Sequence, residues 1–230
     1  MNRYFVIYNP SSGKELAAYK VFGAAETLMN VEDAEFLFYA TKKKGDGEEA
    51  AKRACQYGYE MIIACGGDGT VNEVVNGMMK CCYRPKLAIM PAGTVNDFGE
   101  QLNLPKAQEN FASLIMQRKF KTIDVGRVNE DYFVNVVGGG AFTTISHKVT
   151  IDAKTILGKY AYYYRAAVKV PDELEVCENI NYIIDGKQYD YKTLLFLVLN
   201  SAGAGGFRYL CPKAELDDGL LDIVIFEKTS

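Results

Sequence analysis

The fold of this 230-residue chain is decided by one stretch, MIIACGGDGTVNEVVNGMM, at residues 61–79. Its first four residues form an apolar run that is typical of a buried strand. Val71, Val74, Val75, Met78 and Met79 then recur at the spacing of one helical face. The stretch therefore predicts a strand, a glycine-rich turn and a helix in direct succession.

The turn itself, Gly66 to Thr70, has the composition of a phosphate-binding loop. Glycines let the backbone approach a phosphate closely, and the first N–H groups of the following helix point at the ligand. Asp68 implies Mg²⁺, because a carboxylate repels phosphates unless a divalent cation lies between them. Thr70 and Glu73 fit a capping box. The alternative is a tight strand-to-helix turn that Asp68 helps to cap, which a short motif alone leaves open.

The rest of the first half alternates short apolar runs with amphipathic segments. Strands are predicted at residues 4–8, 35–39 and 87–90, and helical faces lie around residues 17–28 and 50–55. This is the pattern of a parallel sheet wrapped by helices, in which ligands bind beyond the carboxyl ends of the strands. We therefore predict a Rossmann-like α/β nucleotide-binding domain over residues 1–125.

After about residue 122 the pattern changes to hairpins. Strands are predicted at residues 123–128 and 132–137, and Asp185-Gly186 is a strong two-residue turn signal. A helical insert is predicted around residues 158–170. We expect residues 126–230 to form a mostly antiparallel β-sandwich domain that is incomplete at its C-terminus.

Two further loops follow predicted strands of the first domain. The segment NPSSGK, residues 9–14, offers hydroxyls, a glycine and a lysine that suit a phosphate or a ribose, and PAGTVNDF, residues 91–98, follows the strand at 87–90. Each loop alone also fits a helix cap, which is the commoner explanation for Ser, Thr, Asn and Asp at such positions. Because the carboxyl ends of parallel strands meet at one edge of a sheet, we expect the three loops to form one crevice.

The composition excludes several classes of function. A net charge of −3 argues against a nucleic-acid partner, and a single histidine, His147, argues against hydrolases that need an imidazole base. The longest uninterrupted apolar run, Leu194–Leu199, is far short of a bilayer span, so membrane contact is expected to be peripheral at most. The six cysteines lack zinc-site spacing and predict reduced thiols in a cytoplasmic protein.

The three loops, taken in order as N-P-x-S-G, G-G-D-G-T-V-N-E and P-x-G-T-x-N-D-F, resemble the catalytic domain of the diacylglycerol kinase family of lipid kinases. The resemblance covers the whole chain and includes the family's fold, an α/β nucleotide domain followed by a β-sandwich. The G-G-D-G-T loop alone also resembles NAD kinases and phosphofructokinases, whereas the other two loops favour the lipid kinases. The resemblance implies ATP- and Mg-dependent transfer of the γ-phosphate to the hydroxyl of diacylglycerol or a related membrane lipid.

The resemblance also implies roles for individual residues. Asp68, Asp97 and Asp124 would organise Mg²⁺ and its waters, although Asp124 alone also reads as a polar residue at a strand end or between domains. The nucleotide contacts would come from the three loops and one threonine. They are Asn9, Pro10, Ser11, Ser12, Gly13, Lys14, Thr41, Gly66, Gly67, Asp68, Gly69, Thr70, Val71, Asn72, Glu73, Gly93, Thr94 and Asn96.

A segment near the end of the chain resembles the family's second metal site, which two acidic side chains and a backbone carbonyl supply. The corresponding residues are Glu215, Asp218 and Leu220. Glu215 stands where Asp is more usual, and Asp217 could substitute for it. The alternative is an acidic hairpin turn, for which the Asp-Gly pair is sufficient reason.

A kinase that acts on an alcohol benefits from a general base within hydrogen-bond reach of the acceptor hydroxyl. No residue of this sequence is recognisable as that base. In the resembled family that base is a glutamate beyond the position at which this chain ends, so we expect a truncated protein.

Three functions stay open. The first is a lipid kinase acting at the membrane surface, peripheral at the inner face. The second is an inactive nucleotide-binding module whose unfinished sandwich leaves an edge open to homo-oligomer formation. The third is a kinase of a soluble acceptor such as NAD.

Overall fold

Four parallel strands form the sheet of the first half of the chain, as the alternating pattern predicts. The computed structural model describes residues 1–13, 16–105, 107–140, 178–203 and 210–227. The strands lie in the spatial order β2-β1-β3-β4. They are β1 (Asn2–Tyr8), β2 (Ala34–Ala40), β3 (Met61–Gly66) and β4 (Lys86–Pro91). The chain moves from β1 to β2 on one side and then to β3 on the other, so the sheet has its switch point between β1 and β3.

Helices cover both faces of this sheet. They are α1 (Ala17–Met29), α2 (Asp46–Gln56), α3 (Asp68–Met79), α4 (Asp97–Gln101) and α5 (Gln108–Met116). Side chains of α1 and α5 pack in one hydrophobic core, and side chains of α2 and α3 pack in the other. Every residue of β3 is buried between these layers, which explains its uninterrupted apolar run. Among the helices of the described residues, none combines the length and hydrophobicity needed to cross a bilayer.

A short hairpin follows the α/β layers and packs against α3. Its strands are β5 (Gly126–Val128) and β6 (Asp131–Phe133), both shorter than the sequence pattern predicts. Asn76 of α3 is only 4% exposed. Its side-chain amide donates to the Tyr132 carbonyl oxygen at 2.8 Å and accepts the Tyr132 N–H at 2.8 Å. The chain divides into two compact units, Met1–Val134 and Asn135–Ser230, and the hairpin belongs to the first, whereas the sequence pattern sets the boundary near residue 125.

The second unit is antiparallel in its described part. Its strands are β7 (Val136–Gly140), β8 (Glu178–Ile184), β9 (Lys187–Leu199) and β10 (Asp222–Glu227). The long β9 pairs with each of the other three strands. Asp185 and Gly186 both have positive φ, 49° and 76°, as the predicted two-residue turn requires. The predicted fold class, an α/β domain followed by a mostly antiparallel one, is confirmed, and the predicted insert at residues 158–170 lies outside the described residues.

Candidate functional site

The loops at the carboxyl edge of the parallel sheet begin side by side. Beyond the strands, the Thr41 N–H donates to the Tyr8 carbonyl oxygen at 2.9 Å, and the Asn9 N–H donates to the Cys65 carbonyl oxygen at 3.0 Å. The Ala92 N–H donates to the Gly66 carbonyl oxygen at 2.9 Å. These bonds extend the ladder by one step past the strands, so the four loops leave the sheet as close neighbours.

The backbones of these loops approach one another so closely that only glycine fits. Gly13 has φ +61°, and a Cβ there would overlap the carbonyl oxygen of Ala92. A Cβ on Gly93 would lie 2.5 Å from the Cα of Gly67. The first, second and third loops are therefore in direct contact, and the glycines of each make that contact possible. The three loops that were expected to form one crevice thus lie next to each other at this edge of the sheet.

Asn96 fixes the shape of the third loop. It adopts a left-handed conformation, with φ 56° and ψ 48°, and it is only 7% exposed. Its side-chain oxygen accepts the Gly93 N–H at 2.7 Å, while its side-chain NH₂ donates to the Gly93 carbonyl oxygen at 2.7 Å. Because these bonds lock the turn in which Gly93 meets Gly67, Asn96 shapes the site through the backbone. Thr94, two residues earlier, is exposed.

Asp68 joins the second loop to the third. One carboxylate oxygen accepts the Asp97 N–H at 3.2 Å, and the other accepts the Phe98 N–H at 3.1 Å. The carboxylate thus caps the start of α4 while standing in the first turn of α3. This arrangement brings Asp97, which the family resemblance also implies as a residue that organises Mg²⁺, next to Asp68 in the fold. Asp124 lies in the segment between α5 and β5, and its role stays a prediction.

The predicted capping box of Thr70 and Glu73 is wrong. The residue that precedes α3 is Gly67, which has no side chain with which to cap the helix. The carboxylate of Glu73 instead accepts the Gly47 N–H of α2 at 3.0 Å. A Cβ on Gly66 would overlap the side chain of Thr70, which therefore lies over the end of β3. The box fails because α3 starts at Asp68, so that Thr70 already lies within the first helical turn.

The first loop is a turn organised by its own asparagine. The side-chain oxygen of Asn9 accepts the Ser11 N–H at 3.0 Å, and its backbone carbonyl oxygen accepts the Ser12 N–H at 3.0 Å. Ser11 is exposed, while Asn9, Pro10 and Ser12 are half-buried. Lys14, the cation predicted for this loop, lies outside the described residues.

Asp46 organises the loop that begins at Thr41, and the sequence reading missed it. One of its carboxylate oxygens accepts the N–H groups of Lys42 at 2.8 Å and Lys43 at 3.1 Å. The bond from Lys42 is the main cause that lowers the pKa of the Asp46 carboxyl below its usual range. The position of Asp46 at the start of α2, just before the alanines of the buried helical face, could have indicated this role, because acidic residues are typical of the first helical turn. Asp46 thus shapes the backbone that carries Thr41.

Cys65, directly before Gly66, belongs to the hydrophobic core under the sheet edge. It is fully buried, and its thiol donates to the Ala17 carbonyl oxygen at 3.4 Å. Burial raises the pKa of the Cys65 thiol to about 12. The thiol is therefore neutral at physiological pH and inert as a nucleophile.

The residues predicted for a second metal site form a turn in the second unit. Glu215, Asp218 and Leu220 are all exposed, and Leu216 between them is buried. The Asp218 side chain accepts the Leu220 N–H at 2.9 Å, and Gly219 has φ +76°. Within the described ranges, no three His, Cys, Asp or Glu side chains are grouped to hold a metal. The prediction rests on two carboxylates and a carbonyl, and it stays a prediction.

Comparison with known proteins assigns both units. Residues 3–128 match the diacylglycerol kinase catalytic domain, and residues 135–230 match the YegS C-terminal NAD kinase beta sandwich-like domain. A diacylglycerol kinase of Staphylococcus carnosus (strain TM300) is 40% identical over 98% of this chain and 72% of its own length. One of Staphylococcus aureus (strain JH9) is 39% identical over 98% of this chain and 70% of its own.

Solved structures agree with these matches. The crystal structure of a diacylglycerol kinase from Bacillus anthracis str. Sterne is 28% identical, covers 98% of this chain and 74% of that chain, and has a TM-score of 0.75. Another structure from the same organism is 29% identical, covers 98% of this chain and 75% of that chain, and has a TM-score of 0.81. The family resemblance first indicated by the three loops is thus confirmed and extends over both units, and the chain is a kinase that belongs to the diacylglycerol kinase catalytic-domain family.

Proposed function

We propose that this protein is an ATP- and Mg²⁺-dependent lipid kinase that transfers the γ-phosphate to the hydroxyl of diacylglycerol or a related membrane lipid. The observation that carries the proposal is the contact of the three glycine-bearing loops at one edge of the sheet, through Gly13 and Ala92 and through Gly67 and Gly93. The chain's membership of the kinase family supports the binding of a phosphoryl donor, here ATP, at this edge of the sheet. The names of the relatives support a lipid as the acceptor.

The phosphate chain of ATP would lie against the loop between β3 and α3. The N–H groups at the start of α3, those of Asp68 and Gly69, would point beyond the end of the helix, where the helix dipole favours negative charge. The next N–H, that of Thr70, donates to the Gly67 carbonyl oxygen at 3.0 Å. Gly67 keeps side chains away from that position, and the first loop adds the hydroxyls of Ser11 and Ser12. These groups would bind and orient the phosphates, which is most of what phosphoryl transfer requires of a protein.

The oxygen donors at this edge fit Mg²⁺. Asp68 and Asp97 adjoin each other, and Mg²⁺ prefers carboxylate and water oxygens. Each Asp68 oxygen accepts one backbone N–H and keeps further acceptor capacity. We propose that Asp68, Asp97 and Asp124 organise the cation and its bound waters, and that Glu215, Asp218 and the Leu220 carbonyl hold a second cation. A bound Mg²⁺ would neutralise charge on the phosphates during transfer.

Radiolabel transfer tests the proposal. The 230-residue protein is incubated with γ-labelled ATP, Mg²⁺ and mixed micelles that contain diacylglycerol, with NAD as a parallel acceptor. We expect labelled phosphatidic acid, and we expect Asp68→Asn to abolish it while Asp185→Asn, in the β8–β9 turn, leaves it unchanged. Labelled NADP would point to a soluble acceptor instead. Stabilisation by ATP without any labelled acceptor would identify a nucleotide-binding module and overturn the proposal.

A further inference from the structure

Helices α2 and α3 lie against each other so closely that one of the contact positions admits only glycine. A Cβ on Gly77 of α3 would overlap the carbonyl oxygen of Glu48 and would lie 2.7 Å from the Cβ of Ala51, both in α2. One turn earlier in both helices, the Gly47 N–H donates to the Glu73 carboxylate at 3.0 Å. The pairs Gly47–Glu73 and Ala51–Gly77 have the same sequence separation, 26 residues, so the two helices run parallel in one register.

The same register sets two cysteines side by side at the C-terminal ends of these helices. Cys55 lies in the last turn of α2, and Cys81 follows the end of α3 by two residues. They too are 26 residues apart, one turn beyond the Ala51–Gly77 contact. Cys81 packs against the hydrophobic core that contains Cys55, and the two thiols are hydrogen-bonded to each other. Both are free cysteines, and their sulfurs need only a short movement to form an S–S bond of about 2.05 Å.

Hydrogen bonds hold the segments that carry these thiols in place. The Tyr83 hydroxyl donates to the Tyr59 carbonyl oxygen at 2.9 Å, which ties the turn after α3 to the turn after α2. The Cys81 N–H donates to the Met78 carbonyl oxygen at 3.1 Å, and the Cys81 thiol donates to the Gly77 carbonyl oxygen at 3.3 Å. The contact between the two sulfurs is therefore part of the folded structure of the first unit.

The two thiols differ in their access to solvent. Cys55 is only 4% exposed, whereas Cys81 is half-buried. Burial, and after it the neighbouring Cys81, raises the pKa of the Cys55 thiol above its ordinary value. A small oxidant in solution therefore meets Cys81 first, and the neutral Cys55 thiol lies directly behind it. This is the arrangement of a reacting thiol with a resolving partner.

We propose that Cys55 and Cys81 form a reversible disulfide when a peroxide oxidises the protein, and that this bond ties the ends of α2 and α3 together. The Cys81 sulfur attacks one oxygen of hydrogen peroxide, so that an S–O bond forms, the O–O bond breaks, and the departing hydroxide takes the thiol proton as water. The Cys55 sulfur then attacks the Cys81 sulfur. The S–S bond forms, the S–O bond breaks, and the departing hydroxyl takes the Cys55 proton as a second water. Two thiols are oxidised to one disulfide, and one peroxide is reduced to two waters.

The bond fixes the spacing of two helices whose other ends carry loops of the candidate site. Helix α3 begins at Asp68 and α2 begins at Asp46, both at the carboxyl edge of the sheet, whereas the cysteines lie at the C-terminal ends. The inference is independent of the proposed function, because neither thiol belongs to the loops. A disulfide here also restricts the unfolded chain, which raises the stability of the folded protein.

Peptide mapping after oxidation tests the proposal. The reduced 230-residue protein is treated with a small excess of hydrogen peroxide, the remaining thiols are alkylated, and the protein is digested with trypsin. Trypsin separates residues 54–80, which include Cys55, from residues 81–86, which include Cys81. We expect mass spectrometry to find these two peptides joined and dithiothreitol to separate them. The Tm of the oxidised protein should rise by about 5 °C or more, and dithiothreitol should reverse the rise.

Matched cysteine variants identify the two sulfurs. Cys81→Ser and Cys55→Ala should each abolish the joined peptides, and in Cys55→Ala the sulfenic acid reagent dimedone should label Cys81. Cys82→Ser removes the exposed neighbour of Cys81, and Cys65→Ala removes the buried thiol that shares a tryptic peptide with Cys55. Both of these variants should form the joined peptides like the unaltered protein. Circular dichroism verifies that each variant is folded.

Four results would overturn the proposal. Joined peptides that persist in Cys55→Ala would assign the bond to Cys65. A disulfide found only within residues 81–86 would assign it to Cys81 and Cys82. Thiols that all remain available for alkylation after peroxide treatment would show that the pair does not react. A joined pair whose formation leaves the Tm unchanged would show that the bond does not tie the helices together.

Discussion

The carboxylate of Asp68 accepts the backbone N–H of Phe98 at 3.1 Å, which ties the first turn of α3 to the start of α4. A second bond, from the Asp97 N–H, makes the link bidentate. The side chain expected to stand beside Mg²⁺ therefore also holds two of the three loops together. Its structural and chemical contributions can be separated by substitution.

Removal of the Asp68 carboxylate should destabilise the protein as well as weaken nucleotide binding. In Asp68→Ala the N–H groups of Asp97 and Phe98 lose their acceptor, which should cost about 1–2 kcal/mol. Asp68→Asn keeps one side-chain oxygen, so it should lose less stability while lacking the charge that a cation needs. Urea unfolding gives the stability, and the thermal shift on adding ATP and Mg²⁺ gives the binding. An unfolding midpoint of Asp68→Ala equal to that of Asp185→Asn would contradict the cap.

The contact of the second and third loops predicts opposite effects at two glycines. Gly93→Ala places a methyl group 2.5 Å from the Cα of Gly67, so the loops must separate, and we expect a loss of about 1–3 kcal/mol. Gly69→Ala meets nothing within 4 Å and lies in the first turn of α3, so it should be neutral or stabilising by up to about 1 kcal/mol. Urea unfolding of the two variants checks the difference. Equal stability would show that the loops are free to move apart.

The buried side-chain amide of Asn76 should contribute more to the free energy of unfolding than an exposed side-chain amide does. Asn76→Ala leaves both backbone groups of Tyr132 without their partner, and we expect a loss of about 2–3 kcal/mol. Native-state hydrogen exchange should show faster exchange of the Tyr132 amide. Asn181→Ala, which removes an exposed bond to Asp190, serves as the control and should change stability by less than about 0.5 kcal/mol. Unchanged exchange at Tyr132 would refute the role of the amide.

Glu48 should contribute to the loss of stability in acid. Hydrogen bonds from Lys52 and Lys80 lower the pKa of the Glu48 carboxyl below its usual range. The stabilisation is therefore fully present above the ordinary glutamate pKa of about 4.3, and it is lost as the pH falls through the lower folded value. Urea unfolding from neutral pH down to about pH 3 should show Glu48→Gln less stable than the unaltered protein at neutral pH. The two curves should converge in acid, and a constant gap would contradict the assignment.

Local patterns predicted the parallel sheet and its loops well, because their signals lie within a few residues. The uninterrupted apolar run of β3 reflects burial on both faces, and the turn at Asp185-Gly186 reflects the positive φ that both residues adopt. The capping box at Thr70 was wrong although its spacing was right. The partner of Glu73 is the N–H of Gly47, 26 residues earlier, and no local pattern encodes such a bond.

The hydrogen bonds that hold the loops of the site together could not be predicted from local sequence patterns, because they join residues far apart in the chain. Asp68 reaches N–H groups 29 and 30 residues later, and Asn76 reaches Tyr132 over 56 residues. Asn96 was predicted as a nucleotide contact, and its hydrogen bonds to Gly93 depend on a left-handed conformation that Asn tolerates but does not dictate. Side-chain types alone specify that polar groups are present at a strand end, whereas their partners follow only from the packed structure.

The hairpin on α3 determines where this chain can be recombined with a relative. A chimera joined at residue 125 would exchange β5 and β6 along with the second unit, so the Asn76 amide would meet a foreign strand. A crossover after Val134 keeps Asn76 and Tyr132 from the same parent, together with the ion pair of Lys80 and Asp131. Libraries that shuffle second units among family members should therefore yield folded proteins more often from the later junction.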